Sequence, residues 1–472
     1  MKAPSSSPAA PKWAWLVVVL LFVMNVFIWV DLWLLMVQLE SVRDQLGLTR
    51  SQAGWLSTVL LLSSAAACPP IGYLADRVRR PRLLAVGFAV WSLATVSTGM
   101  AQSYDQIQVA RALVGVGGAI FGVVALSILM DLFPRTVRAR VLAVFFLAVP
   151  LGAALGLSLG AALGELTGWQ TAFLAAGAPG LMLALVALTM PDPVRGASEG
   201  VDVQRLRLHE QVGPSREDYV DLMVNSSYTY SVFGITFSSF ALAGLVYWSK
   251  SFLTVAKGLS EAQTNTPLGL TFLGAAIAGT AAGGWLADWA SKARPRAIFI
   301  VPGLATLLAI PCVLAAIYGR SVPLIFGGLF LAEGVMFMNV VPCYTIISNV
   351  VMPNMRAVAC AVALAAVHLL GDIWSPTLMG WAVDTFAHSD SMATGFGQAL
   401  AALGAVPVAQ PGRDPENLTA GMLVVVPALL ISGIVLLSGS RHLPREMALM
   451  LAKLRAAPSR RVARRPGAGP RR

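Results

Sequence analysis

Gly72-Tyr73-Leu74-Ala75-Asp76 returns as Gly284-Trp285-Leu286-Ala287-Asp288, and each copy runs into a basic turn. The first turn carries Arg77, Arg79, Arg80 and Arg82; the second carries Lys292, Arg294 and Arg296. The copies lie 212 residues apart (288 − 76), a little under half of the 472-residue chain. That offset predicts two related halves with the motif at the same internal place. In each copy small residues let two helices approach closely, the aspartate falls at a helix end, and the cations hold the turn on the cytoplasmic side of a bilayer. A duplicated bundle of membrane helices with such turns is the layout of a secondary transporter.

Composition agrees. The chain is 57% hydrophobic and 12% charged, with mean hydropathy +0.72, where a soluble domain carries about a quarter charged residues. Its apolar residues come in runs of bilayer-spanning length. Twelve spans are expected, near 13–37, 54–75, 82–101, 105–130, 138–163 and 168–189, then 228–254, 265–289, 296–318, 322–350, 356–385 and 418–440. The expected fold is an all-α membrane protein with twelve transmembrane helices in two six-helix, pseudo-symmetric bundles. Residues 1–189 form the first bundle, 190–226 a cytoplasmic linker, 227–440 the second bundle and 441–472 a basic tail. Within the linker, Val201, Leu206 and Leu208 alternate with Arg205 and Arg207; this stretch either lies flat on the inner leaflet or stays a solvated strand of linker. The loop 386–417 is long and polar, falls on the opposite side and has room for a short helix.

The net charge of +11 has a topological reading. Arg135, Arg138 and Arg140 fill the turn between spans 4 and 5, matching the two motif turns, while the opposite loops are poor in cations. Both termini are therefore expected on the cytoplasmic side of an inner membrane, and no nucleic acid is expected as a partner. Cys68, Cys312, Cys343 and Cys360 lie in apolar stretches without paired spacing and read as small buried hydrophobes. The sequence offers no phosphate-binding loop, no metal-ligand spacing and no nucleophile elbow, which points to no cofactor, no metal and no enzyme. One bundle holds a whole pathway, so a monomer is expected.

The two six-span halves, the doubled loop motif and Arg111-x-x-x-Gly115 on span 4 resemble the major facilitator superfamily. A narrower resemblance lies in span 11, where His368-Leu369-Leu370-Gly371-Asp372-Ile373-Trp374-Ser375-Pro376 looks like the signature of spinster-type transporters. Asn225 to Tyr228 entering span 7, Glu333 to Asn339 on span 10 and Pro193-x-Arg195-Gly196 after span 6 are similar to the same branch. That resemblance implies export of lysophospholipids or sphingoid-type amphiphiles, often coupled to protons. It also implies a conformational role for Gly72, Asp76, Arg77, Arg80, Gly284 and Asp288. Two positions depart from the pattern. Asp31 is followed by Leu32 where the branch has arginine, and span 4 reads Gly117-Gly118-Ala119 where it has glutamate before the alanine. The acid–base cluster tied to proton coupling is thereby reduced to Asp31.

Ionisable groups at membrane depth are functional candidates by default, because each costs several kcal/mol unless paired or wetted. Asp31, late in span 1, is either a proton site in a cavity or an interfacial carboxylate; standing alone it would hold its proton more tightly than usual. Glu333, mid-span 10, has no cation one turn away and is either a proton or cation site or a packing hydrogen bond. His368 and Asp372, four apart, share a helix face and form either a proton-exchanging pair or a structural one. Pro376 removes a backbone bond and predicts a kink beside Ser375. Arg111 either pairs with a carboxylate or meets a substrate phosphate. Asn225, Tyr228, Trp248, Asn339 and Ser375 complete the candidate substrate contacts, with Lys250 beside Trp248 as an interfacial anchor. The favoured function is alternating-access transport of a lysophospholipid-like or other amphiphilic organic anion, with membrane lipid and protons as partners. The alternative is export of hydrophobic drug-like cations in exchange for protons.

Overall fold

A computed structural model describes residues 12–48, 50–196, 198, 216–410 and 413–455. The linker stretch Val201 to Leu208 lies outside the described residues. Among the described residues, twelve helices are long and apolar enough to cross a bilayer. Span 1 is Lys12–Leu46, span 2 Arg50–Ala75, span 3 Arg80–Met100, span 4 Tyr104–Leu132 and span 6 Trp169–Leu188. Span 5 is built of Arg135–Phe146 and Ala148–Thr167, interrupted just before Pro150. In the second half, span 7 is Ser226–Ser251, span 8 Glu261–Ala293, span 9 Ala297–Tyr318 and span 10 Val322–Val350. Span 11 joins Arg356–Ala366 to Trp374–Thr385, and span 12 joins Leu418–Leu423 to Val425–Gly439. Two further helices flank the second half: a linker helix, Arg216–Val224, and a C-terminal helix, Leu443–Arg455.

Local departures have local causes. Span 1 runs to Leu46, well past the end of its apolar run, because Val42 stays buried beyond the membrane stretch. The kink expected at Pro376 takes the form of a π-helical segment, Val367–Asp372, immediately before it. Proline in the first turn of the next helical piece lacks the N–H that would continue the regular ladder. The loop 386–417 is more structured than expected. It holds the short helices Ser389–Met392 and Gly395–Ala402 and an antiparallel pair of strands, Val408–Gln410 with Arg413–Glu416. Asn417 ties it down, donating to the carbonyls of Phe386 and Ala405 and accepting from the amide of Ala420.

Twelve crossings place the 2–3, 4–5, 6–7, 8–9 and 10–11 turns on the side of both termini, called here the basic end. One buried apolar cluster crosses between the halves there, running from Leu84, Phe133 and Leu142 to Val341, Ile347 and Ala361. At the opposite end each half keeps its own core: Leu34, Leu56 and Phe173 in the first, Val313, Leu329 and Met422 in the second. The halves are welded at the basic end and have separate interiors at the other.

Candidate functional site

The weld contains the repeated motif. Gly72 faces span 11 so closely that an added Cβ would lie 2.6 Å from Ala361 Cβ and 2.9 Å from Val358 Cα. Gly284 meets span 5 in the same way, 2.4 Å from Ala143 Cβ. Asp76 is buried and accepts from the amides of Ala357 (3.2 Å) and Val358 (3.0 Å) at the start of span 11. A carboxylate there satisfies orphan donors of the opposite half's helix and complements its dipole. Asp288 sits 2.8 Å from Arg140 of span 5. Each aspartate of the repeat thus reaches the other half.

The motif cations act in part through Asp131, which the sequence did not single out. Arg80 is buried and binds Asp131 (2.5 Å) at the basic end of span 4, Asp192 (3.0 Å) and the carbonyl of Pro193. Asp131 also takes Arg356 of span 11 at 2.5 Å and the amide of Gly196 at 3.0 Å. It is therefore a buried junction of first half, second half and linker. Arg138 of span 5 reaches Ser348 and Asn349 of span 10. Arg77 lies 3.5 Å over the Tyr73 ring and donates to Tyr219 of the linker helix at 2.9 Å.

Burial pushes the Asp76 carboxyl up to about 7, although the amide of Val358, Arg195, the amide of Ala357 and Arg80 oppose the shift. An exposed aspartate titrates near 4. The closed basic end therefore binds this proton more tightly than an open one does. Its stability gains as pH falls from above 7 towards 4 and is lost as pH rises through 7. Acidification is expected to favour closure, and Asp76→Asn to remove that part of the pH dependence. Spin-label distances across the basic end between pH 5 and 8 would check this; opening on acidification would refute it.

Deeper in the bundle, Asp31 and Arg111 meet. Arg111 Nη1 lies 3.2 Å from both carboxylate oxygens, and both side chains are fully buried. Thr95 and Trp91 of span 3 flank the carboxylate. The expectation of an isolated Asp31 is thus corrected: span 4 supplies the cation that Leu32 does not. Arg111 is engaged through one nitrogen, and its Nε and Nη2 have no acceptor among the described residues. Two turns along span 4, a Cβ on Gly118 would meet nothing within 4 Å, so the position holds open space where the resembled pattern has a carboxylate.

Across the halves, Trp33 of span 1 touches Phe272 of span 8 (5.6 Å between centroids), and Phe272 touches Phe337 of span 10 (5.5 Å). This aromatic chain links the segment bearing Asp31 to the segment bearing Glu333. Glu333 is buried, and its Oε2 has no hydrogen-bond partner among the described residues. Asn339, two turns on, donates to Ser238 (3.2 Å) and Thr306 (2.7 Å), holding span 10 to spans 7 and 9.

The span-11 signature packs on span 7. His368 Nδ1 lies 2.9 Å from Asp372 Oδ2, while Ser239 donates to Asp372 Oδ1 at 2.5 Å. Gly371 abuts the carbonyl of Thr236, and Ser375 donates to the carbonyl of Phe240. Trp248 donates to the carbonyl of Pro376 (3.0 Å) and packs on Gly380. Asn225 and Tyr228 are not brought to Asp31: Asn225 caps span 7 at the basic end, and buried Tyr228 donates to the carbonyl of Ala359. Among the described residues no group of His, Cys, Asp and Glu is arranged to hold a metal. Cys312 is half-buried, and the other three cysteines are buried.

Residues 21–376 match the family model of the Major Facilitator Superfamily, and the chain belongs to that superfamily of membrane transporters. It is 30% identical over 402 residues to mouse protein spinster homolog 3, covering 80% of this chain and 77% of the relative, which places it in the spinster family. Fruit-fly protein spinster is 27% identical over 388 residues, or 80% of this chain; the chain spans 63% of that relative's length. The mouse sphingosine-1-phosphate transporter SPNS2 is 28% identical over 385 residues, 77% of this chain and 69% of the relative. Among solved structures, a bacterial homolog of the human lysosomal transporter spinster, inward-facing and unoccupied, aligns over 93% of this chain and 99% of its own with TM-score 0.64 and 22% identity. That likeness is one of fold.

Proposed function

We propose that this chain moves a single-chain amphiphile with an anionic head, of the lysophospholipid or sphingoid-phosphate kind, across an inner membrane by alternating access. One observation carries the reading: a fully buried guanidinium bound to Asp31 through a single nitrogen, with Nε and Nη2 unused among the described residues. A phosphate or carboxylate head supplies the acceptors those donors lack, in the fork geometry that suits arginine. As the head takes Arg111, Asp31 loses its counter-ion and binds a proton. Substrate and proton would then share one arginine, a route to coupling that needs no second carboxylate on span 4. Glu333, one turn from Phe337 on span 10, is the second proton site or the contact for an ammonium in the same head. The neutralisation of Asp31 by Arg111 weakens the cation-export alternative, which is left with Glu333 as its carboxylate. The similarity to a sphingosine-1-phosphate transporter supports an amphiphile with a phosphate head.

With the basic end facing the cytoplasm, the welded state is outward-facing. Proteoliposome uptake of three single-chain amphiphiles with equal tails would test the reading. A lysophosphatidate is expected to be taken up fastest, a lysophosphatidylcholine more slowly and an alkyltrimethylammonium not at all. Fastest uptake of the cation would overturn it.

A further inference from the structure

The linker helix and the C-terminal helix meet at the basic end, against the turn joining spans 10 and 11, and enclose a cavity of about 220 Å³. It is remote in sequence from the Asp31–Arg111 pair, and the transport reading does not require it. Its wall is part apolar, with Leu222, Met352, Met355 and Met450, and part charged, with Asp218 and Asp221 from the linker helix and Lys453 from the C-terminal helix. Glu446 also borders it, but both of its oxygens are occupied by the amides of Ser226 (2.9 Å) and Ser227 (2.8 Å) at the start of span 7.

The charged wall indicates what the cavity takes. Lys453 Nζ lies 2.5 Å from Asp221 Oδ2, and the two side chains are 55% and 53% exposed. A pair this exposed is held weakly and exchanges partners without disturbing the helices behind it. Asp221 thus already receives a primary ammonium, and Asp218, one turn earlier on the same helix face, sets a second carboxylate beside it. Lys453, once displaced, offers a point charge to a phosphate. The methionines supply a soft apolar surface that adapts to methylene groups of irregular outline. Val220, Met223 and Leu449 leave further apolar surface exposed on the same two helices, as helices at a bilayer surface do.

We propose that this cavity binds a phospholipid whose head carries both a primary ammonium and a phosphate. The ammonium sits on Asp221, the phosphate on Lys453, and the first methylenes on Met352, Met355 and Met450. The site lies where an occupant matters. Tyr219, next to Asp218, stacks on Tyr73 (6.4 Å) and accepts from Arg77, so the linker helix touches the first half through one face and the cavity through another. The far wall, Val350 to Met355, leads directly into Arg356 of the buried junction. An occupant fastens linker, C-terminal helix and span-11 start together and favours the closed basic end.

Native mass spectrometry of the purified, delipidated full chain would test this, with phosphatidylethanolamine, phosphatidylcholine and phosphatidylglycerol of one chain composition and with phosphoethanolamine alone. The ethanolamine lipid is expected to bind about tenfold tighter than the other two, the value of one charge-assisted hydrogen bond. Asp221→Asn and Lys453→Met, both at exposed positions, should each erase that preference. The exchanged pair Asp221→Lys with Lys453→Asp should regain it, as the two charges change places. If phosphoethanolamine competes as well as the whole lipid, the headgroup chemistry stands and the ligand is a soluble amine phosphate. Equal binding of all three lipids, or a preference that survives both single substitutions, overturns the site.

Discussion

Arg111→Met is expected to destabilise the protein by about 3–5 kcal/mol and to abolish transport, because it strands a buried carboxylate without its counter-charge. Asp31 is fully buried, and Arg111 is its only ion-pair partner among the described residues. Neutralising both at once, Asp31→Asn with Arg111→Gln, removes the stranded charge. The double variant should therefore recover most of the lost stability, since an uncharged buried pair of similar size often costs little. It should not recover transport, because the donors for the anionic head are gone. Thermal unfolding in detergent and uptake in proteoliposomes read the two effects separately. A double variant as unstable as Arg111→Met would mean that the pair contributes through packing and not through charge.

Gly72→Leu is expected to open the basic end. A Cβ at this position would lie within 3 Å of both Ala361 Cβ and the backbone of Val358, so no rotamer of a larger residue fits while spans 2 and 11 stay in contact. Overpacking of this kind costs about 1–3 kcal/mol. In a protein that must hold two conformations within a few kcal/mol of one another, that shifts the population by about tenfold or more. Gly284→Leu acts on the other seam, between spans 8 and 5, where Ala143 Cβ is the obstacle. Cysteine accessibility at basic-end positions should rise in each variant and further in the double variant. Unchanged accessibility in all three would show that the contact is dispensable for closure.

The repeat read from Gly72 and Gly284 was the most legible feature of the chain. Its glycines and its aspartates each have a contact across the halves that matches the local chemistry, while Arg80 binds Asp131 of its own half and the start of the linker. The spans were legible for a related reason: apolar runs of bilayer length admit few structures. What stayed hidden depends on residues far apart in sequence. Asp131 and Arg356 are 225 positions apart, and each is a single charge at the end of an apolar run, with no local sign of its partner. Arg111 and Asp31 were both singled out, yet their pairing across 80 positions was one alternative among several. Ser239 has no motif around it; the π-helical segment of span 11 packed on span 7 brings Asp372 to it. Asn225 and Tyr228 lie at the basic end, because a helix cap and a hydrogen bond to span 11 use the same polar residue types as a binding site.

The proposed coupling turns on Asp31 exchanging its arginine for a proton when an anionic head arrives. Lysophosphatidate uptake into proteoliposomes with an imposed pH gradient, wild type against Asp31→Asn, tests it most directly. Gradient-driven uptake is expected in the wild type. In Asp31→Asn, uptake should no longer respond to the gradient, while binding of the same lipid persists or strengthens because Arg111 has lost its competitor. Gradient-driven uptake that continues in Asp31→Asn would contradict it.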